Sequence, residues 1–106
     1  MVKALTIGII GFGNIGSGVL RTLAARSAEL GERLPRPIVV KAIATRTPAT
    51  QRDAPYDPAI VTDRIEAVLE DPEIEVVVEL IGGEEPARTF VSLALAAGKH
   101  VVTANK

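Results

Sequence analysis

A chain of 106 residues, 47% hydrophobic and 24% charged, fits one globular domain with a core of its own. A formal net charge of -1 gives no electrostatic case for a nucleic-acid or membrane partner. The absence of cysteine excludes disulfides, thiolate metal sites and cysteine nucleophiles, and the sole histidine, His100, excludes multi-histidine metal sites; a cytoplasmic location is expected.

Ala4–Ile10 is a short apolar run bounded by glycine and reads as a strand buried on both faces. The lysine and apolar residues that open the chain are interrupted by glycines, with no cleavage site after them, so a secretory signal is not expected. After "GFGNIGSG", Ile15, Val19, Leu20 and Leu23 recur at helical spacing, which predicts a helix from about Asn14 into the upper twenties, stopped by Gly31, Pro35 and Pro37. Ile38–Thr45, rich in β-branched residues, is the second strand. The stretch "RTPATQRDAPYDPA" carries prolines and little apolar surface, and a mobile loop is expected there.

Ile60–Thr62 reads as a very short third strand. Asp63 is expected to cap a brief helix with Glu66 three residues on, ending at Pro72. Ile74–Ile81 is the fourth strand, interrupted by Glu79, a carboxylate that must be paired or near the sheet edge. Gly82 and Gly83 release the chain into a helix that begins near Pro86, with Ala87, Phe90, Val91, Ala94 and Leu95 as its buried stripe and Gly98 as its stop. "HVVTA" is the fifth strand.

Strands alternating with helices imply an α/β chain: one Rossmann-type, doubly wound parallel sheet in three α/β/α layers over residues 1–106, in the order 3-2-1-4-5. Ligands on such sheets bind at the carboxyl ends of the strands, where the order reverses. Here that edge comprises Gly11–Gly16, Arg46, Gly82, Gly83 and Thr103–Lys106.

Gly11, Gly13 and Gly16 form G-x-G-x-x-G directly after a buried strand and at the opening of an amphipathic helix, the context that gives the pattern meaning. Gly11 permits the tight turn, Gly13 lets a pyrophosphate approach the backbone, and Gly16 lets helix and strand pack closely. Phe12, Asn14 and Ile15 complete the loop, whose open amides and helix dipole favour the phosphates of a dinucleotide. An NAD site usually places an acid at the end of the second strand to take the ribose 2′-OH. This chain has Thr45 and Arg46 there instead. Arg46 is either a solvated strand-end residue or a fork for a 2′-phosphate, which would make the cofactor NADP, with NAD as the other possibility. Arg52 offers a second cation.

Gly82 and Gly83 come where a ribose and nicotinamide would lie against bare backbone. Glu84 and Glu85 read as favourable charge at a helix start. Thr103, Asn105 and Lys106 close the fifth strand. Asn105 has the chemistry to position an amide, and Lys106 to polarise a carbonyl or pass a proton; a solvated lysine is the plainer alternative. His100 lies at the far end of that strand and reads as structural or exposed.

Taken together, "IGIIGFGNIGSGV", a second strand ending in arginine, "DPEIEVVVELIGGEEPA" and "ALAAGKHVVTANK" resemble the amino-terminal nucleotide-binding domain of homoserine dehydrogenase, weakest over residues 26–37 and 47–60. The resemblance implies an oxidoreductase that interconverts L-homoserine and L-aspartate 4-semialdehyde with NAD(P), a step toward threonine, methionine and isoleucine. It places Lys106 beside substrate and nicotinamide as the catalytic lysine and associates Arg46 with NADP(H). It further implies a homo-oligomeric parent whose later residues supply the rest of the substrate site, and little turnover by these residues alone. Sugar- and inositol-type dehydrogenases share the glycine loop and "AGKHV" but continue into Glu-Lys-Pro where this chain has Ala104, Asn105 and Lys106. A domain from another NAD(P) oxidoreductase, or a nucleotide-sensing module without catalysis, are the competing readings.

Overall fold

A computed structural model describes residues 4–25, 37–52, 54–81 and 84–103. Strand β1 (Leu5–Ile10) leads into helix α1 (Asn14–Ala25), then β2 (Ile38–Ala44), a single 3-10 turn (Pro58–Ile60), β3 (Val61–Thr62), the one-turn helix α2 (Glu66–Leu69), β4 (Val76–Glu79), α3 (Ala87–Ala96) and β5 (His100–Thr103). The five strands lie in the order β3-β2-β1-β4-β5, and every pairing is parallel. This is the expected doubly wound order, with the topological switch between β1 and β4. The far end of the first helix, with Gly31 and Pro35, falls outside the described residues.

Alternation along the strands builds the layers, because successive side chains point to opposite faces. Ile10, Ala42, Ala44 and Val77 face one way and pack with Val68 and Leu69 of α2 and Ala94 of α3. Ile9 and Ile43 face the other way and pack with Leu20 of α1 and with Phe12. A bulge between Ile7 and Gly8 shifts the β1–β2 register by one residue midway.

Three local expectations differ from the structure. Asp63 does not cap α2: the N-cap is Ile65, without a side-chain cap, and the Thr62 hydroxyl accepts the Arg64 N–H instead at 3.1 Å. That hydroxyl lies one residue nearer the strand and takes over the turn. Leu95 is 57% exposed rather than core. Ala87, Phe90, Val91 and Ala94 already complete the inward stripe of this short helix, and at 100° per residue Leu95 falls beyond it. Ile15 is also solvent-facing, at 59% exposure, because the inward side of the first turn of α1 is taken by Gly16 and Ser17. Gly98 ends α3 as expected, with φ of 80° and its N–H bonded to the Leu95 carbonyl.

Candidate functional site

The ladder continues past the strand ends on the carboxyl side and sets the loops in register. The Gly11 N–H donates to the Ala44 carbonyl, the Leu80 N–H to that of Ile10, and the Thr45 N–H to that of Thr62, each at 2.8 Å. These bonds place the glycine loop between the ends of β2 and β4. Gly11 has φ of 100°, a conformation costly to any residue with a side chain, and an added Cβ would stand 3.2 Å from the Leu80 and Ile81 backbone. A Cβ on Gly16 would stand 3.0 Å from the Gly11 carbonyl oxygen, so helix and loop pack backbone to backbone. Gly13 is different: a Cβ there would meet nothing within 4 Å. Among the described residues no neighbour calls for a glycine at that position, which leaves room for a ligand against the backbone.

The first helical bond of α1 runs from the Ser17 N–H to the Gly13 carbonyl at 3.0 Å. The amides just before it therefore have no partner within the helix and lie at its positive dipole end. A cleft of about 580 Å³ opens beside this loop. Its floor is Ile10, Gly11, Phe12 and Gly13; its far side is Thr45, Arg46, Thr47 and Arg52. Ile65, Ile81, Pro86 and Phe90 form an apolar wall with Asp63 at hand, so two arginines stand against one carboxylate. The donor set, the open space at Gly13 and the helix start together fit a dinucleotide.

The two arginines are not equivalent. Arg46 is exposed and, among the described residues, has no hydrogen bond or ion pair. Arg52 has used every donor it carries. Its Nε donates to the Phe12 carbonyl at 2.9 Å. One terminal nitrogen donates to the carbonyls of Thr47 at 2.7 Å and Thr50 at 2.5 Å, the other to the hydroxyls of Thr45 at 3.2 Å and Thr47 at 2.8 Å. The guanidinium carbon lies 4.6 Å from the centre of the Phe12 ring, and Tyr56 meets that ring edge-on at 4.9 Å. Arg52 is thus no loose second cation, and the proline-rich stretch after β2 is tied to the glycine loop through it. Phe12 belongs to the same knot: its ring is buried and its carbonyl is occupied, so its part in a site is to shape the loop.

On the other side of the switch, Glu79 is wholly buried at the end of β4. Its carboxylate accepts the Ile81 N–H at 2.6 Å and the Thr103 hydroxyl at 2.5 Å. One buried group thereby fixes the exit of β4 and the end of β5. Neither Glu79 nor Thr103 lines the cleft beside the glycine loop. Glu85 accepts both the backbone N–H, at 2.8 Å, and the hydroxyl of Thr89, and these hydrogen bonds hold its carboxyl below its ordinary value. It therefore belongs to the helix start, as its position suggested. The peptide bond before Pro86 is cis. Gly82, Gly83, Asn105 and Lys106 lie outside the described residues, as does the side chain of Asn14. The residues that sequence reasoning did not single out, Thr47, Ile65, Pro86 and the anchoring role of Arg52, come from separate elements and share no local signature.

The sequence profile described as "Homoserine dehydrogenase, NAD binding domain" matches residues 11–106. The chain belongs to this family. A homoserine dehydrogenase of Methylobacillus glycogenes is 40% identical over 105 residues, covering 99% of the chain and 26% of that protein. One from Pseudomonas aeruginosa is 43% identical over 105 residues, 99% of the chain and 24% of that protein. Among solved structures, a homoserine dehydrogenase from Thiobacillus denitrificans superposes with a TM-score of 0.84 at 40% identity, over 98% of this chain and 24% of the other. A Staphylococcus aureus homoserine dehydrogenase reaches 0.89 at 32% identity, over 100% of this chain and 27% of the other. The chain thus spans about a quarter of the length of these relatives. The fold is of the Rossmann type, and the ligand is a nicotinamide dinucleotide. No helix among the described residues is long and apolar enough to cross a membrane.

Proposed function

We propose that this domain holds NADP(H) for a homoserine dehydrogenase, the protein as a whole interconverting L-homoserine and L-aspartate 4-semialdehyde. The observation that carries the cofactor choice is Arg46, a guanidinium without a partner among the described residues, at the end of β2 where an NAD site would present a carboxylate. A 2′-phosphate meets it with opposite charge and two oxygens for its fork, whereas a 2′-hydroxyl offers a single neutral oxygen.

In this reading the pyrophosphate lies over Gly13 against the amides at the start of α1, and Gly11, Phe12, Asn14, Ile15 and Gly16 form its cradle. The apolar wall of Ile65, Ile81, Pro86 and Phe90 fits the flat adenine, with Asp63 as acceptor for an exocyclic amine. The nicotinamide extends toward Gly82 and Gly83. When bound, the cofactor supplies the hydride chemistry. The chain's own part is to fix that ring: Glu79 holds Ile81 and Thr103 in place, Asn105 orients an amide, and Lys106 binds the substrate oxygen and manages its proton. The substrate itself is the small amino acid or its aldehyde, taken up with residues beyond this domain and in a homo-oligomer, in the cytoplasm.

Calorimetric titration with NADPH and NADH tests the cofactor assignment. Arg46→Ala should weaken NADPH by about ten- to a hundredfold, the range of one charge-assisted hydrogen bond, and leave NADH nearly unchanged. Equal losses for the two would overturn it.

A further inference from the structure

We infer that Arg52 is a positioning residue for cofactor selectivity: it never touches the 2′-phosphate, but turns the hydroxyls of Thr45 and Thr47 into donors aimed to serve one. The inference rests on the NADP reading above.

The argument is an account of hydrogen-bonding capacity. A hydroxyl has one hydrogen to give and two lone pairs to receive. The Thr45 oxygen receives twice, from the Arg52 terminal nitrogen at 3.2 Å and from the Thr47 backbone N–H at 3.3 Å. Its acceptor capacity is full, and only its hydrogen remains. The Thr47 oxygen receives from the same nitrogen at 2.8 Å, so its hydrogen too is turned outward from the guanidinium. Neither hydroxyl has an acceptor among the described residues. Both residues line the cleft beside Arg46. Among the described residues the chain therefore offers two hydroxyl hydrogens and one open guanidinium at a single place. Three donors, with a single lone pair to spare on Thr47, suit a phosphate dianion, which accepts at three oxygens, better than a ribose hydroxyl that also needs an acceptor for its own hydrogen.

Arg52 can set this polarity because its remaining donors grip backbone carbonyls of Phe12, Thr47 and Thr50, which fixes the guanidinium plane. A lysine at that position offers three donors from one point and cannot hold five acceptors in that plane.

Titrations with NADPH and NADH test this with Thr45→Val, Thr47→Val, Thr47→Ser and Arg52→Lys. Each valine variant keeps the β-branched shape and the backbone anchors of Arg52. Each should weaken NADPH about tenfold and NADH no more than about twofold. Thr47→Ser restores the hydroxyl and should restore the preference, which a purely structural threonine would not require. Arg52→Lys should erode the preference as well. If the valine variants weaken both cofactors alike, or leave NADPH untouched, the inference fails. If in the same titrations Arg46→Ala still discriminates, only the role of Arg52 and the threonines is lost; if Arg46→Ala weakens both equally, the NADP reading itself falls.

Discussion

The two ends of the sheet treat charge in opposite ways. At the amino ends of the strands, cations are matched within the fold. Lys41 on β2 bridges Asp71 at 2.7 Å and Glu73 at 2.9 Å. Lys99, buried just before β5, gives its ammonium to the carbonyls of Asp71 at 2.6 Å and Ile74 at 2.8 Å. At the carboxyl ends, Arg52 is equally satisfied, yet Arg46 beside it has no partner among the described residues. The same side-chain types serve the structure where partners surround them and, in the proposed reading, serve the cofactor where none is described. Counting partners, rather than noting the presence of an arginine or lysine, separates the two.

The contrast can be broken at the structural end. Lys99→Met removes a buried ammonium from two carbonyls and should lower stability by about 2–3 kcal/mol, read as a fall in the urea midpoint. It should leave the ratio of NADPH to NADH affinity where it was; a change in that ratio would erase the distinction between the two ends. A smaller loss is expected from Gly8→Ala on β1. Its Cβ would meet Val68 at 2.8 Å and Ile74 at 3.0 Å, beneath α2 and away from the cleft. Overpacking of that kind costs about 1–2 kcal/mol where side chains can yield, again without altering cofactor preference.

The smallest effect is the pH dependence of the Lys41 cluster. Hydrogen bonding to Lys41 holds the Asp71 carboxyl below its ordinary 3.8, so its stabilisation is present above that value and is lost as pH falls through the lowered one. Hydrogen bonds to Asp71 and Glu73 raise Lys41 above 10.5, so its stabilisation is present below that value and is lost as pH rises through the raised one. Urea midpoints measured across pH should therefore fall at both extremes, and Lys41→Met should flatten both falls. A Lys41→Met profile that still drops as steeply would assign the dependence to other groups.

The strand order was legible in the sequence because buried parallel strands are short apolar runs, and Ile7–Ile10, Val39–Ala44 and Val76–Val78 carry that signal plainly. The glycine loop was legible because its context is local. What the sequence hid is what depends on distant partners. Arg52 reaches Phe12 across 40 positions, and Thr103 reaches Glu79 across 24. No periodicity announces such bonds. Asp63 and Leu95 were misread for a related reason: a cap or a core position is settled by which neighbour arrives first, and Thr62 and the short reach of α3 decided those two.

The saturation of Arg52 also bears on how this domain can evolve. Its five bonds run to Phe12, Thr45, Thr47 and Thr50, and none involves Arg46. The scaffold of the loop and the residue proposed to read the 2′-phosphate are therefore held by separate bonds. A lineage could exchange residue 46 and weaken its preference between the two nicotinamide currencies without first dismantling the loop, whose threonines would keep part of that preference.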